Sequence, residues 1–100
     1  MSIELNEIRK RIDSIDEQIV ALLNRRAAEV QRIALFKSAN GMPAIDPDRE
    51  EDVYRRIVGE NAGAIDDEAL KRIFARILAE SRKMQMKIIE KCPAHAETIQ

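Results

Sequence analysis

Apolar residues recur at alternating intervals of three and four over the first third of the chain. This spacing is typical of an amphipathic helix with one apolar stripe. No Pro or Gly interrupts the pattern before "SANGMP", so it predicts a first helix from about residue 4 to about residue 38. At 1.5 Å per residue, that helix would be about 50 Å long. Its stripe consists of Leu5, Ile8, Ile12, Ile15, Ile19, Leu22, Val30 and Ile33.

A helix of this length exceeds the core that one copy of the chain can build. The chain has 100 residues, and a compact domain of that size has a radius of gyration of about 13 Å. Much of the apolar stripe would therefore remain in water, which is unfavourable in proportion to its area. We expect a second copy to cover it, in an intertwined homodimer.

Turn and cap residues predict a second helix after the first. Gly41 and Pro43 end the first pattern, and Asp46 followed by Pro47 supplies an N-cap and a favoured first helical residue. We expect this helix to end near "ENAGA", residues 60–64, where Gly63 can adopt the left-handed conformation of a helix stop. Its apolar face consists of Val53, Tyr54, Ile57 and Val58.

A third helix is predicted from "IDDEAL" onwards, with Asp66 or Asp67 as its cap and Pro93 as its limit. The sequence therefore predicts an all-α protomer of three helices. We assign residues 1–91 to this helical domain and residues 92–100 to a C-terminal tail. The apolar positions of the third helix are Leu70, Ile73, Phe74, Ile77, Leu78, Met84 and Ile88.

The charge balance and the rare residue types exclude several classes of function. A net charge of -1 does not favour a nucleic-acid or a membrane partner, since both require a surplus of positive charge. No apolar run approaches the roughly 20 residues that span a bilayer, so we expect a cytoplasmic protein. Cys92 and His95 are the single cysteine and histidine. We therefore expect no metal, no cofactor and no nucleophilic triad.

Two cations interrupt the apolar stripe of the first helix. Arg26 lies four residues after Leu22 and four before Val30, and Lys37 lies four after Ile33. Eleven residues separate the two cations, which places them on one face about 16 Å apart. Arg26 could snorkel to water, and Lys37 could be a frayed end. A charge on an apolar face costs several kcal/mol unless a partner meets it, so we favour a ligand site.

Polar residues on the other two predicted helices extend this hypothesis. Ser81 interrupts the apolar series of the third helix, and Gln85 follows one turn later, so that a hydroxyl and an amide share one face. A tolerated polar edge is the simpler interpretation of this pair alone. Arg49 and Glu50 lie in the first turn of the second helix, where helix stability does not favour an arginine. Together these residues predict a pocket for a small dianion that carries a hydroxyl group.

Arg9 cannot belong to the same pocket within one chain. It precedes Arg26 by seventeen residues, which is about 26 Å along a straight helix. Any role in the site requires that Arg9 reach the pocket of a neighbouring subunit, as a two-fold dimer of long helices would allow. The alternative is a solvated charge.

The chain resembles the all-helical chorismate mutases, the AroQ class, from about residue 4 to about residue 88. The resemblance is carried by "IRKRIDSIDEQIVALLNRR", "ALFK", "DPDRE" and "ESRKMQ". None of these strings is rare alone, but their order and spacing together are specific. The resemblance implies that three-helix protomers entwine through the first helix into a dimer with two equivalent sites.

The resemblance also implies roles for eight residues. Arg26 and Arg49 would bind the carboxylates of chorismate, together with Arg9 of the other protomer. Lys37 and Gln85 would donate hydrogen bonds to the ether oxygen of the breaking bond. Glu50 would accept the ring hydroxyl, and Asp46 and Ser81 would complete the pocket. The implied reaction converts chorismate to prephenate without a nucleophile, a metal or a proton transfer.

Three other interpretations remain open at the level of sequence. One is an isochorismate pyruvate lyase of the same fold, although its relatives often lack an acid at the position of Glu50. Another is a non-catalytic helical dimer, which leaves Arg26 in the apolar stripe unexplained. The last is a regulatory role, or membership of a fused enzyme of the aromatic pathway.

Overall fold

The computed structural model describes residues 2–91, which form three α-helices joined by two short loops. The helices are α1 (Ser2–Ala39), α2 (Pro47–Glu60) and α3 (Asp67–Lys91). The all-α fold and the long first helix are therefore confirmed. The expectations for Cys92, Pro93 and His95 lie outside the described residues.

The caps of α2 and α3 follow the residues that the sequence marks. The Oδ1 atom of Asp46 accepts a hydrogen bond from the backbone N–H of Arg49 at 3.2 Å. Asp66 caps α3 in the same way, since its Oδ1 atom accepts from the backbone N–H of Ala69 at 2.7 Å. Such caps satisfy N–H groups that have no partner inside the helix.

Helix α2 ends within the predicted stretch 60–64, but the predicted left-handed stop at Gly63 is wrong. Helix α2 ends at Glu60, and Asn61 is its C-cap in an extended conformation, with φ -75°. The Asn61 side chain donates to the carbonyl of Ile65 at 2.9 Å and to Oδ1 of Asp67 at 2.8 Å. A side-chain amide thus organises this turn, and a left-handed glycine is not needed. Within residues 2–91, Gly41 is the residue with a positive φ angle, 64°, and it lies in the loop after α1.

Helix α3 packs along the C-terminal part of α1 and against α2, and this is where the core lies. The core is small and consists of Val30, Ala34, Val53 and Leu78. Because α1 contributes buried residues only between Val30 and Ser38, and residues 2–25 are all exposed, the N-terminal part of α1 projects beyond the core. The radius of gyration is 18.2 Å and the longest extent is 70 Å, well above the roughly 13 Å radius of a compact chain of this size.

The projecting part of α1 carries an uncovered apolar stripe. Ile12, for example, retains 50% of its possible exposure. The exposed residues of the stripe on this segment are Leu5, Ile8, Ile12, Ile15, Ile19 and Leu22. None of the three helices has an apolar window of the length and hydropathy that a membrane span requires, within the residues searched.

Candidate active site

A cavity of about 330 Å³ lies where the C-terminal third of α1, the first turn of α2 and the second half of α3 meet. Its walls carry four cations, Arg26, Lys37, Arg49 and Arg82, and we call it the cationic cavity. Seven of the eight residues singled out in the sequence line it, and Arg9 does not. The seven are Arg26, Lys37, Asp46, Arg49, Glu50, Ser81 and Gln85.

Lys37 and Gln85 meet across the cationic cavity. The Nζ atom of Lys37 donates to Oε1 of Gln85 at 2.7 Å and to the backbone carbonyl of Ala44 at 3.0 Å. Both acceptors are neutral, so neither compensates the lysine charge. Since Oε1 of Gln85 accepts from Lys37, the amide Nε2 is left as a donor. The pair therefore offers an ammonium and an amide N–H to one small region.

Arg26 is held by Ser81. Its Nη1 atom donates to Oγ of Ser81 at 2.6 Å, and that hydroxyl donates in turn to the carbonyl of Ile77 at 2.8 Å. The Ser81 proton is thus engaged by the backbone of its own helix. Ser81 lines the cavity and holds Arg26 there.

The Arg26 guanidinium lies in an unfavourable environment for a positive charge. Burial lowers the pKa of Arg26 from its ordinary value, and the like charge of Arg49 lowers it further. Its hydrogen-bond acceptor, the Ser81 hydroxyl, is neutral. A cation that is partly desolvated and faces a second cation is stabilised by an anion placed between them. This local charge favours an anionic ligand.

The first turn of α2 contributes a cap, a cation and an acid. Asp46 serves as the N-cap through Oδ1. The Arg49 side chain forms an ion pair with Asp52 at 2.9 Å, and 56% of it is exposed. Arg49 is consequently at the rim of the cationic cavity, and its pair with Asp52 is of the weak, solvent-screened kind.

Glu50 is joined to α3 by Arg82, a residue that the sequence reasoning missed. The Nη1 atom of Arg82 donates to Oε1 of Glu50 at 2.7 Å. Arg82 lies four residues after the buried Leu78, so it also places a charge on an apolar line of α3. Arg26 was identified because it is a charge at a position where the helix pattern expects an apolar residue. Arg82 is a charge of the same kind, one turn after Leu78 on α3, so the sequence does contain a signal for it.

Arg9 lies on the projecting part of α1 and is exposed. It is seventeen residues from Arg26, about 26 Å along the helix. No other described residue is in hydrogen-bond or ion-pair contact with it within residues 2–91. One chain therefore does not bring Arg9 to the cationic cavity.

A larger cavity of about 840 Å³ adjoins the cationic cavity and shares Arg26, Arg49 and Val53 with it. Its remaining lining includes an apolar floor between α2 and α3. The polar side chains that converge on one point lie in the smaller cavity, which we therefore regard as the candidate site. The apolar residues of the larger cavity are Val53, Ile57, Ala62, Ile65, Leu70 and Phe74.

The described residues define an all-α protein whose three helices enclose a cationic cavity. The sequence model of the family described as "Chorismate mutase type II" matches residues 8–86. The chain belongs to this family.

Related proteins carry the same description at moderate identity. The chain is 33% identical over 95 residues to a chorismate mutase of Methanocaldococcus jannaschii, covering 87% of this chain and 89% of the relative. It is 38% identical over 89 residues to a bifunctional chorismate mutase/prephenate dehydratase of Aquifex aeolicus, covering 85% of this chain. The match spans only 25% of that bifunctional relative.

Solved structures agree with this membership. A chorismate mutase from Thermus thermophilus, form II, superposes with a TM-score of 0.81 at 30% identity, over 83% of this chain and 94% of that one. A chorismate mutase from Helicobacter pylori in complex with prephenate has a TM-score of 0.78 at 27% identity, over 86% of this chain and 93% of that one.

Proposed function

We propose that this chain converts chorismate to prephenate. The observation that carries the proposal is the convergence of Lys37 and Gln85, 2.7 Å apart, in a cavity that also holds the half-buried Arg26. Family membership and the prephenate complex of the Helicobacter pylori relative support it. No cofactor takes part in the proposed reaction.

The cations of the cavity account for substrate binding in this proposal. Chorismate carries two carboxylates, and each can accept charge-assisted hydrogen bonds from a guanidinium. The acceptor of Arg26 within the chain is neutral, so a substrate carboxylate would offset its charge. Arg49 is paired with Asp52 on its own helix and can turn inward from the rim. Two such contacts would hold the enolpyruvyl side chain over the ring in a reactive conformation.

Lys37 and Gln85 account for the acceleration of the bond-breaking step. In the rearrangement, one C–O bond breaks while one C–C bond forms, and the ether oxygen gains negative charge in the transition state. Donors that are fixed before the reaction stabilise that charge without reorganising. Lys37 Nζ and Gln85 Nε2 are such donors, since their mutual contact and the Ala44 carbonyl hold both in place. Glu50 would accept the hydroxyl of the ring.

A homodimer completes the site in this proposal. The stripe on the projecting part of α1 is uncovered in one chain, and a second copy is the partner that the stripe itself favours. At 100° per residue, Arg9 lies only about 40° around the helix from Leu5 and about 60° from Ile12. A partner that covers the stripe would therefore also receive Arg9, which we assign to its cationic cavity. The larger apolar cavity beside Arg26 and Arg49 offers space for that helix. A cytoplasmic location stays a prediction.

The test is the loss of chorismate absorbance on addition of purified protein, with the product identified as prephenate. Lys37→Ala should lower kcat at least about 100-fold, as expected for the loss of one preorganised donor. Lys83→Ala is the matched control, because Lys83 is an exposed lysine on α3 whose side chain forms a loose pair with Glu80 at 3.7 Å; it should retain full activity.

The outcome with wild-type protein separates the alternatives. If the wild type and the Lys37→Ala variant convert chorismate at the same rate, the proposed role of Lys37 is wrong. Release of pyruvate from isochorismate without any chorismate turnover would identify the lyase instead. Inactivity towards both substrates would leave a non-catalytic helical dimer.

A further inference from the structure

Arg82 and Glu50 form an ion pair that differs from every other ion pair within residues 2–91. It joins two helices, whereas the others join residues three or four apart on the same helix. Pairs within one helix contribute little and need no ligand to explain them. The Arg82–Glu50 pair instead links the first turn of α2 to α3 inside the cationic cavity.

The pair is also shielded from water. The side chains of Arg82 and Glu50 are 33% and 24% exposed, whereas those of Arg76 and Glu80, which form an ion pair of the same length on α3, are 72% and 53% exposed. Salt screens a shielded pair less than an exposed one, and its geometry is correspondingly better defined. The 2.7 Å contact therefore sets the orientation of the Glu50 carboxylate.

We infer that Arg82 is a positioning residue that holds Glu50 for the substrate. Oε1 of Glu50 accepts from Arg82, which leaves Oε2 to accept the ring hydroxyl. This inference rests on the proposed function, in which Glu50 has that role. In this inference Arg82 acts on the substrate through Glu50.

Arg82 has a second consequence, which follows from charge. A carboxylate beside a bound dianion repels it, and the repulsion is stronger in a partly desolvated cavity than in water. Arg82 offsets the charge of Glu50, so that the charges of Arg26 and Lys37, whose acceptors are neutral, remain available for the substrate carboxylates. Both consequences require Glu50, and neither would persist if position 50 were neutral.

The experiment measures kcat and KM for chorismate in the full chain with Arg82→Met, a change that removes the charge and keeps most of the aliphatic stem. We expect kcat/KM to fall about 10- to 100-fold, as displacement of a substrate-contacting group does. Most of the loss should be in KM, because a bare carboxylate repels bound substrate and transition state alike. Arg82→Lys, which keeps the charge but lacks the planar donor geometry, should recover part of the loss.

The decisive comparison repeats Arg82→Met in a Glu50→Gln background. There the additional loss should disappear, since two residues that act through one contact are not additive. Arg76→Ala is the matched control: it removes the exposed arginine of an equally short ion pair on the same helix, and its kcat/KM should equal that of the wild type. Thermal unfolding monitored for every variant shows whether it is folded, and Arg82→Gln replaces Arg82→Met should the latter unfold.

Four outcomes would overturn the inference. An inactive wild-type chain removes the proposed function and the role of Arg82 with it. If the wild type is active and the kcat/KM of Arg82→Met equals that of Arg76→Ala, only the role of Arg82 is overturned. If Arg82→Met lowers kcat/KM by the same factor with Glu50 intact and in the Glu50→Gln background, Arg82 has a structural or direct role instead. A lower kcat at unchanged KM leads to the same conclusion.

Discussion

Lys37 on the last turns of α1 and Gln85 on α3 are joined by a hydrogen bond of 2.7 Å, with the ammonium as donor and the amide oxygen as acceptor. The direction of this bond determines what the pair can do. Because Oε1 faces the lysine, the Gln85 N–H groups face away from it and remain free to donate. An amide keeps these protons at any pH that the fold tolerates, unlike a carboxylic acid at the same position.

The wild-type chain should therefore lose no turnover between pH 6 and pH 8, whereas Gln85→Glu should be active only in acid. A glutamate donates a hydrogen bond only when protonated, and its ordinary pKa is about 4.3. Lys37 beside it would favour the charged form and lower that pKa. Turnover of the variant should therefore rise as the pH falls towards 4. The measurement is kcat against pH for both proteins; a flat profile in the variant would remove Gln85 from the donor pair.

Ser81→Ala should weaken substrate binding. The change removes the acceptor that holds Arg26 Nη1 at 2.6 Å, so the guanidinium loses its fixed orientation. A hydrogen bond to a charged group contributes about 1.5 to 3 kcal/mol, which predicts a KM for chorismate at least about tenfold higher. The better helix propensity of alanine, about 0.5 kcal/mol, offsets only part of the lost bond, so the unfolding temperature should fall slightly. An unchanged KM would show that Arg26 is oriented without Ser81.

The candidate site was predictable to the extent that its residues break an apolar pattern. Arg26, Lys37 and Ser81 stand where apolar residues are expected, and each lines the cationic cavity. Asp46 was predictable as a cap because its side chain acts on a backbone N–H three residues away. Contacts of this kind are local, and the sequence contains all of their participants.

Contacts between helices were less accessible from the sequence. Glu50 pairs with Arg82, thirty-two residues later, and Arg49 pairs with Asp52 on its own helix. The packing of α2 against α3 decides which acid each arginine contacts. The spacing of apolar residues along either helix does not determine this packing. The left-handed stop predicted at Gly63 was wrong for a related reason. Asn61 reaches Ile65 and Asp67 across the turn, which makes a left-handed Gly63 unnecessary.

The two aspartate caps provide a test that separates stability from activity. Asp66→Ala removes the acceptor of the Ala69 N–H and should lower the free energy of unfolding by about 1 kcal/mol. Asp66 does not line the cationic cavity, so kcat/KM should be unchanged. Asp46→Ala should cost a similar amount of stability and also lower kcat/KM, because this cap fixes the turn that carries Arg49 and Glu50. Urea unfolding and steady-state kinetics measure the two effects, and equal kinetic losses in both variants would contradict the distinction.

The proposed dimer predicts that two inactive variants restore activity when mixed. Arg9→Ala removes the cation that each chain gives to its partner, and Arg26→Ala removes one from its own cavity. In a mixed dimer, the cavity of the Arg9→Ala chain keeps its own Arg26 and receives an intact Arg9 from its partner. The other cavity lacks both residues. With random exchange in an isologous dimer, about a quarter of all sites should be complete.

A mixture of Arg26→Ala with Lys37→Ala chains is the matched control. Both residues line the cavity of their own chain, so every site in the mixed dimer lacks one of them, and no activity should return. The chains are mixed at micromolar concentration after reversible unfolding, and prephenate formation is measured along with the sedimentation of each sample. Recovery in the first mixture alone requires that Arg9 act across the dimer. Sedimentation of a stable monomer, or no recovery in either mixture, would leave Arg9 a solvated charge, and the apolar stripe from Leu5 to Leu22 would need another partner.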